Sequence, residues 1–265
     1  MAGALAALGA ANGAHAIEIG TGNPDLTARW DNTVRYNVSV RTDGKDPKIA
    51  NAPNSDESDN KFDRGDVVNN RIHLLSEFDL VYKSRMGFRV SAAAWYDQGY
   101  HDDSVKTAPG LEARGSYDNN RYSSFTKRFY RGPSGEFLDA FVFGNFDIGS
   151  STLRLKAGKH SIFWGDVAFN ANHSVAYSQM PNDSRKSLAS PGVEAKETVL
   201  PLNQLSAQLQ ITDTLAVAGQ YFLDWQPNRL PEGGTYYGAA DFLFYGPDKF
   251  SLSPTLSVRR AALRA

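Results

Sequence analysis

The chain has 265 residues with 28 Lys plus Arg against 29 Asp plus Glu, and the resulting charge of −1 removes the electrostatic footprint of a nucleic-acid partner. Hydrophobic residues make up 41% and aromatics 12%, which excludes wholesale disorder, and the lack of cysteine excludes disulfides, thiolate metal sites and cysteine nucleophiles. Beyond the first residues no apolar run approaches the ~20 residues of a membrane-spanning helix, so a helical membrane protein is excluded.

Residues 1–16 read as a partial export leader. Ala2 to Ala11 is rich in alanine and leucine, and Ala14-His15-Ala16 offers small residues at the two positions that signal peptidase reads, although no Lys or Arg precedes the apolar run. From Ala28 to Arg41 apolar and polar residues alternate: Trp30, Val34, Tyr36, Val38 and Val40 on one face, Arg29, Asp31, Arg35 and Arg41 on the other. This predicts a long two-faced strand. The same period predicts strands over Arg71 to Lys83 and over Met86 to Asp97.

Leu138, Ala140, Val142 and Phe146 then oppose Asp139, Asn145 and Asp147, with Phe141 and Phe143 spoiling the polar face. Strands follow over Thr152 to His160, Gln204 to Ile211 and Leu215 to Trp225. The last candidate, Phe250 to Val258, is interrupted by Pro254, which suits an edge or a bulge. About eight strands are therefore expected, and an irregular tail from 259 to 265.

The connections alternate in length. Short turns lie at Lys83-Ser84-Arg85, Gly149-Ser150-Ser151 and Thr212-Asp213-Thr214, while long polar segments span Thr42 to Asn70, Gln98 to Glu136, Gly165 to Asn203 and Gln226 to Lys249. Short turns alternating with long loops are the rhythm of an antiparallel transmembrane β-barrel, and aromatics such as Trp30, Tyr82, Tyr96 and Trp225 at strand ends suit its interfacial girdles. Within one long segment, Pro191-Gly192 followed by Val193-Glu194-Ala195-Lys196-Glu197 suits a short helix, either folded into the barrel or lying outside as a flap.

Gly22-Asn23-Pro24-Asp25-Leu26, leading to Arg29-Trp30-Asp31-Asn32-Thr33-Val34-Arg35-Tyr36-Asn37, resembles the opening of a proteobacterial outer-membrane family catalogued as domain-of-unknown-function family 1302. Three more stretches are similar in order and spacing: Phe163-Trp164-Gly165-Asp166, Ser190-Pro191-Gly192-Val193-Glu194-Ala195-Lys196-Glu197 with Leu200-Pro201, and Trp225-Gln226-Pro227-Asn228-Arg229-Leu230-Pro231 with Gly234-Thr235. The resemblance covers most of residues 17 to 245 and departs at Asp166, where the family more often carries Glu. It implies a large outer-membrane barrel with no established reaction. Family members are usually much longer, and the ending Val258-Arg259-Arg260-Ala261-Ala262-Leu263-Arg264-Ala265 lacks the terminal aromatic of a finished barrel. The chain is thus expected to be the N-terminal portion, residues 17–258, of a larger barrel.

Catalytic chemistry is thinly represented. His160-Ser161 and His173-Ser174 set an imidazole beside a hydroxyl, with Asp139 or Asp166 to orient it, but neighbours on a strand point to opposite faces. No enzyme is expected. The acidic stretch with Asp56, Glu57, Asp59, Asp63 and Asp66 lacks the spacing of a calcium loop and reads as a solvated surface loop. Gly132-Pro133-Ser134-Gly135 reads as a turn, no phosphate cradle is present, and no cofactor is expected.

If the apolar faces meet lipid, the lumen is lined by Arg29, Arg35, Arg41, Glu77, Asp79, Arg89, Asp139, Arg154, Lys156 and His160. The expected function is a passive channel or transport component for small organic or hydrophobic solutes in the bacterial outer membrane. Its partners would be outer-membrane lipid and periplasmic or envelope transport components. Two alternatives stay open: a small eight-stranded barrel whose charged interior is a plug, and a soluble secreted β-sandwich that binds carbohydrate.

Overall fold

The computed structural model describes residues 5–7, 11–163 and 179–260. Nine strands form one antiparallel sheet: β1 (Leu5–Ala7), β2 (Ala11–Ile19), β3 (Leu26–Arg41), β4 (Val67–Tyr82), β5 (Met86–Asp97), β6 (Ser134–Ile148), β7 (Ser151–His160), β8 (Leu202–Gln210) and β9 (Ala216–Phe222). From β3 to β9 each strand pairs with the next in sequence, and β1 and β2 share the free side of β3. Among the described residues β9 does not pair back to the first strands, so the sheet is antiparallel and unclosed.

Register explains the two faces. Trp30 stands opposite Phe78, Val34 opposite Leu74 and Tyr36 opposite Ile72, whereas Arg29 stands opposite Asp79, Asp31 opposite Glu77 and Arg35 opposite His73. The apolar face is the exposed one: Tyr36, Ile72, Val142, Val217 and Tyr221 all stand open, while Arg35, Asn37, Arg71, His73 and Gln204 on the polar face are buried. Among the described residues no second sheet is layered on the apolar face, which is the reverse of the packing of a sandwich.

Two sequence expectations, on the last strand and on Leu138, need correction here. Phe250 to Val258 is not one strand: β10 (Lys249–Ser253) and β11 (Leu256–Arg259) pair as a hairpin that turns at Pro254-Thr255, where proline cannot donate to a ladder. Leu138 is not on the exposed face with Ala140 and Val142. A β-bulge between Val90 and Ala92 re-phases β6, turns Phe137 outward and buries Leu138 with Leu75, Ala93 and Trp95. The expected leader overlaps β2, which runs antiparallel to β3 from Ala11 opposite Tyr36 to Ile19 opposite Ala28; cleavage after Ala16 would leave Ile17, Glu18 and Ile19 on this edge. The tail residues 261–265 lie outside the described residues.

The long connections (residues 42–66, 98–133, 161–201 and 223–248) all leave from one end of the sheet, and the short turns lie at the other. Helices α1 (Pro47–Ala50), α2 (Asp56–Asn60) and α3 (Ser124–Tyr130) lie in the first two of them. Phe62, Tyr100, Val105, Tyr117, Tyr122 and Tyr130 from these segments form a packed core of their own, joined by Tyr236 from the fourth. The Tyr117 hydroxyl donates to Gly233 O at 2.7 Å and the Tyr122 hydroxyl to Gly234 O at 2.6 Å, so loops remote in sequence are tied into one cap.

The acidic stretch is solvated, as its composition suggests, at Asp63 and Asp66 but not at its start. Asp56 and Glu57 are buried in this cap, where Asp56 accepts from the Ala108 N–H at 2.7 Å, Glu57 from the Ser116 N–H at 2.6 Å, and Asp241 from the Glu57 N–H at 3.2 Å. Burial, more than the neighbouring carboxylates, pushes Glu57 up to about 7 and Asp241 up to about 9. An acid with a raised folded-state pKa gives stability that is full below the ordinary carboxylate range and declines as pH climbs to the raised value. The cap is therefore expected to loosen between about pH 5 and pH 9, seen as faster amide exchange at Ala108 and Ser116. Asp241→Asn should flatten that dependence, and an exchange rate ratio indifferent to pH in both proteins would rule out the titration of these buried carboxyls as its source.

Candidate functional site

The polar face divides along its length into a covered half, near the cap, and an open half near the short turns. Helices α4 (Ser184–Ala189) and α5 (Ala195–Thr198) cover the first half. Asp183 opens α4 by accepting from the Arg185 N–H, and Glu194 and Glu197 form a capping box around α5. These caps satisfy backbone donors at the starts of two very short helices, whose further support is their packing on the strands.

Their side chains meet the strands in ion pairs. Arg35 Nη2 donates to Glu197 Oε1 at 2.8 Å with both groups buried, and His73 Nδ1 lies 3.4 Å from Glu197 Oε2. Burial works against the Glu197 carboxylate, yet the Arg35 hydrogen bond and the fields of His73 and Arg35 outweigh it and hold its pKa below the ordinary glutamate range. Lys196 pairs with Glu77 at 2.5 Å, Asn37 donates to Ser190 Oγ at 3.1 Å, and Lys186 and Arg229 both pair with Glu136. Arg185 is held by Asp183 at 2.8 Å and Glu232 at 2.9 Å and lies 3.7 Å from the Phe129 ring centroid.

The open half is organised by cross-strand rows. One row runs Arg29, Asp79, Arg89, Phe141, Gly158; the next runs Thr27, Val81, Gly87, Phe143, Lys156. Together they line a cleft of about 440 Å³. Asp79 holds both arginines of its row, Arg89 through bonds of 2.7 and 2.8 Å and Arg29 at 3.3 Å, while Arg29 also reaches Asp31 at 2.9 Å. A second cleft, of about 390 Å³, lies beside it over β7, β8 and β9.

The expected lining residues therefore separate by environment. Arg29, Asp79, Arg89 and Lys156 line the first cleft, and Arg154 and Lys156 the second. Glu77 and Asp139 sit between the halves, with Asp139 accepting at 3.5 Å from the Ser91 hydroxyl. Arg35, Arg41 and His160, also on the expected lining, are buried. Arg35 is covered by α5; Arg41 donates to the carbonyls of Asp43, Gly44, Asp59 and Phe62 and so clamps the first long loop; His160 is buried with its Nε2 2.8 Å from Ser206 Oγ.

Several contributors were not singled out from sequence as lining: His73, Glu136, Lys186, Glu197, Arg229 and Glu232. His73 follows from period-2 alternation, whereas the loop residues carry no periodic signal. His173, Ser174, Trp164, Gly165 and Asp166 lie outside the described residues. Among the described residues no group of three or more His, Asp or Glu is arranged to hold a metal ion.

No curated protein matches the chain, and no solved structure does. The model of one protein family, described as a protein of unknown function (DUF1302), matches residues 1–263, nearly the whole chain, and includes both halves of the polar face. With its covered ion pairs, its open cleft and its exposed apolar surface all inside that match, the chain belongs to the DUF1302 family.

Proposed function

We propose that the sheet is part of an outer-membrane β-barrel, with the polar face as its lumen, that passes small organic or hydrophobic solutes. The inversion of the sheet carries this reading: a row of exposed apolar side chains backs a buried, ion-paired polar face, which is unfavourable in water and favourable in lipid. The free edges at β9 and at β3 with its short partners support a larger barrel, because unpaired backbone groups in hydrocarbon cost several kcal/mol each. On this reading the long connections face outward from the cell and α4 with α5 narrows the lumen.

A plugged barrel is the second reading, favoured by the fully buried Arg35–Glu197 pair. Planar-bilayer recording on the full-length protein separates the two: discrete conductance steps support a channel, and silence with a heat-modifiable gel band supports a plug. Epitope tags complete the test. A tag at Gly110, exposed in the cap, should be reached on intact cells, and one at Ser150, in a short turn, only after permeabilisation. Recovery in the soluble periplasm without detergent would defeat both readings.

A further inference from the structure

The open half of the polar face carries two aromatics, Phe141 and Phe143, among its charged residues. Phe143 stands opposite Gly87, where a Cβ would come within 2.9 Å of the Phe143 ring. Phe141 stands opposite Gly158, which has φ +120° and would bring a Cβ within 2.4 Å of Ala140 O. Gly87 thus leaves room for the Phe143 ring, and Gly158 lets the backbones of β6 and β7 approach closely beside Phe141. The rings form the apolar floor of the cleft of about 440 Å³.

Charge at this floor is unequal. Asp79 is already shared between Arg29 and Arg89. Lys156, opposite Phe143 and with its ammonium 5.1 Å from the Phe141 ring centroid, has no carboxylate in ion-pair range among the described residues. It lines both clefts, and the second is lined also by Arg154, Ile162 and Phe163, with no acidic side chain among the described residues of its wall. An exposed cation above an aromatic floor is the recognition chemistry of a molecule with one anionic end and an apolar body.

Resting on the channel reading, we propose that this cleft is a binding site for amphipathic organic anions, with the acid group on Lys156 and the apolar body on Phe141 and Phe143. The full-length protein in lipid nanodiscs tests it, with phenylbutyrate as probe and phenylbutanol and phenylbutylammonium as its uncharged and cationic counterparts. Phenylbutyrate should bind about tenfold more tightly than phenylbutanol, the worth of one charged hydrogen bond. Lys156→Gln should erase that preference, Lys156→Arg should keep it, and Phe143→Ser should weaken acid and alcohol together. Equal affinity of the acid and the alcohol for the native protein, or a preference that survives Lys156→Gln, overturns the inference. Conductance in potassium chloride, measured on the same preparations, keeps the two ideas apart. Conduction without acid preference defeats the binding site alone, and acid preference without conduction supports the site and defeats only the channel.

Discussion

Val90→Arg is expected to cost about 2–4 kcal/mol and to deplete the heat-modifiable, lipid-inserted form, because Val90 lies on the apolar face near the middle of β5 with Phe78 opposite it. Its neighbour Arg89 shows how sharply the two faces differ, since one residue away a guanidinium is already accommodated by Asp79. Ala218→Arg, on the polar face of β9 and exposed, should cost far less. Urea titration of the lipid-inserted protein reads both. Were the sheet to live in water, arginine at a half-buried surface position would be nearly neutral, and equal midpoints for the two variants would remove the membrane reading.

The second large effect is expected at the covered half. Glu197→Ala leaves Arg35 buried without its partner, and removing one member of such a pair costs about 3–5 kcal/mol. The local outcome is release of α5 from the polar face, read as tryptic cleavage at Lys196 that the native protein resists, and as a rise in conductance if the lumen is open behind it. The double variant Arg35→Met with Glu197→Leu removes both charges and should lose much less than the single one. Identical protease sensitivity in single and double variants would show that the pair does not hold the helix.

How much of this was legible beforehand differs by scale. Strands β3 to β9 and their long and short connections could be read because alternation and turn residues are local signals. The bulge at Leu138 and Asp139 could not, since Phe137 to Phe143 is nearly all apolar and either phase looks acceptable. The cap core escaped for another reason. Tyr100, Tyr117, Tyr122 and Tyr130 sit in segments without a period, and aromatics spaced that way acquire meaning only when remote loops meet. Among site residues, Arg29, Asp79, Arg89 and Lys156 were placed by parity, but parity gives a face and not a partner. That Arg35 would be covered while Lys156 stayed open depends on where residues 182–200 fold back.

The distance along the chain between Arg35 and Glu197, 162 positions, also sets an order of events during folding. Helix α5 lies between β7 and β8, so its docking site on β3 and β4 can be complete well before α5 itself has a fixed place. Closing so long a loop is entropically slow unless intervening structure shortens it, and here the successive hairpins β3 to β7 do so one pair at a time. Until that walk across the sheet is finished, Arg35 and His73 must keep their water. A chain halted before α5 docks would present the β3 to β7 ladder with a hydrated, unblocked polar face.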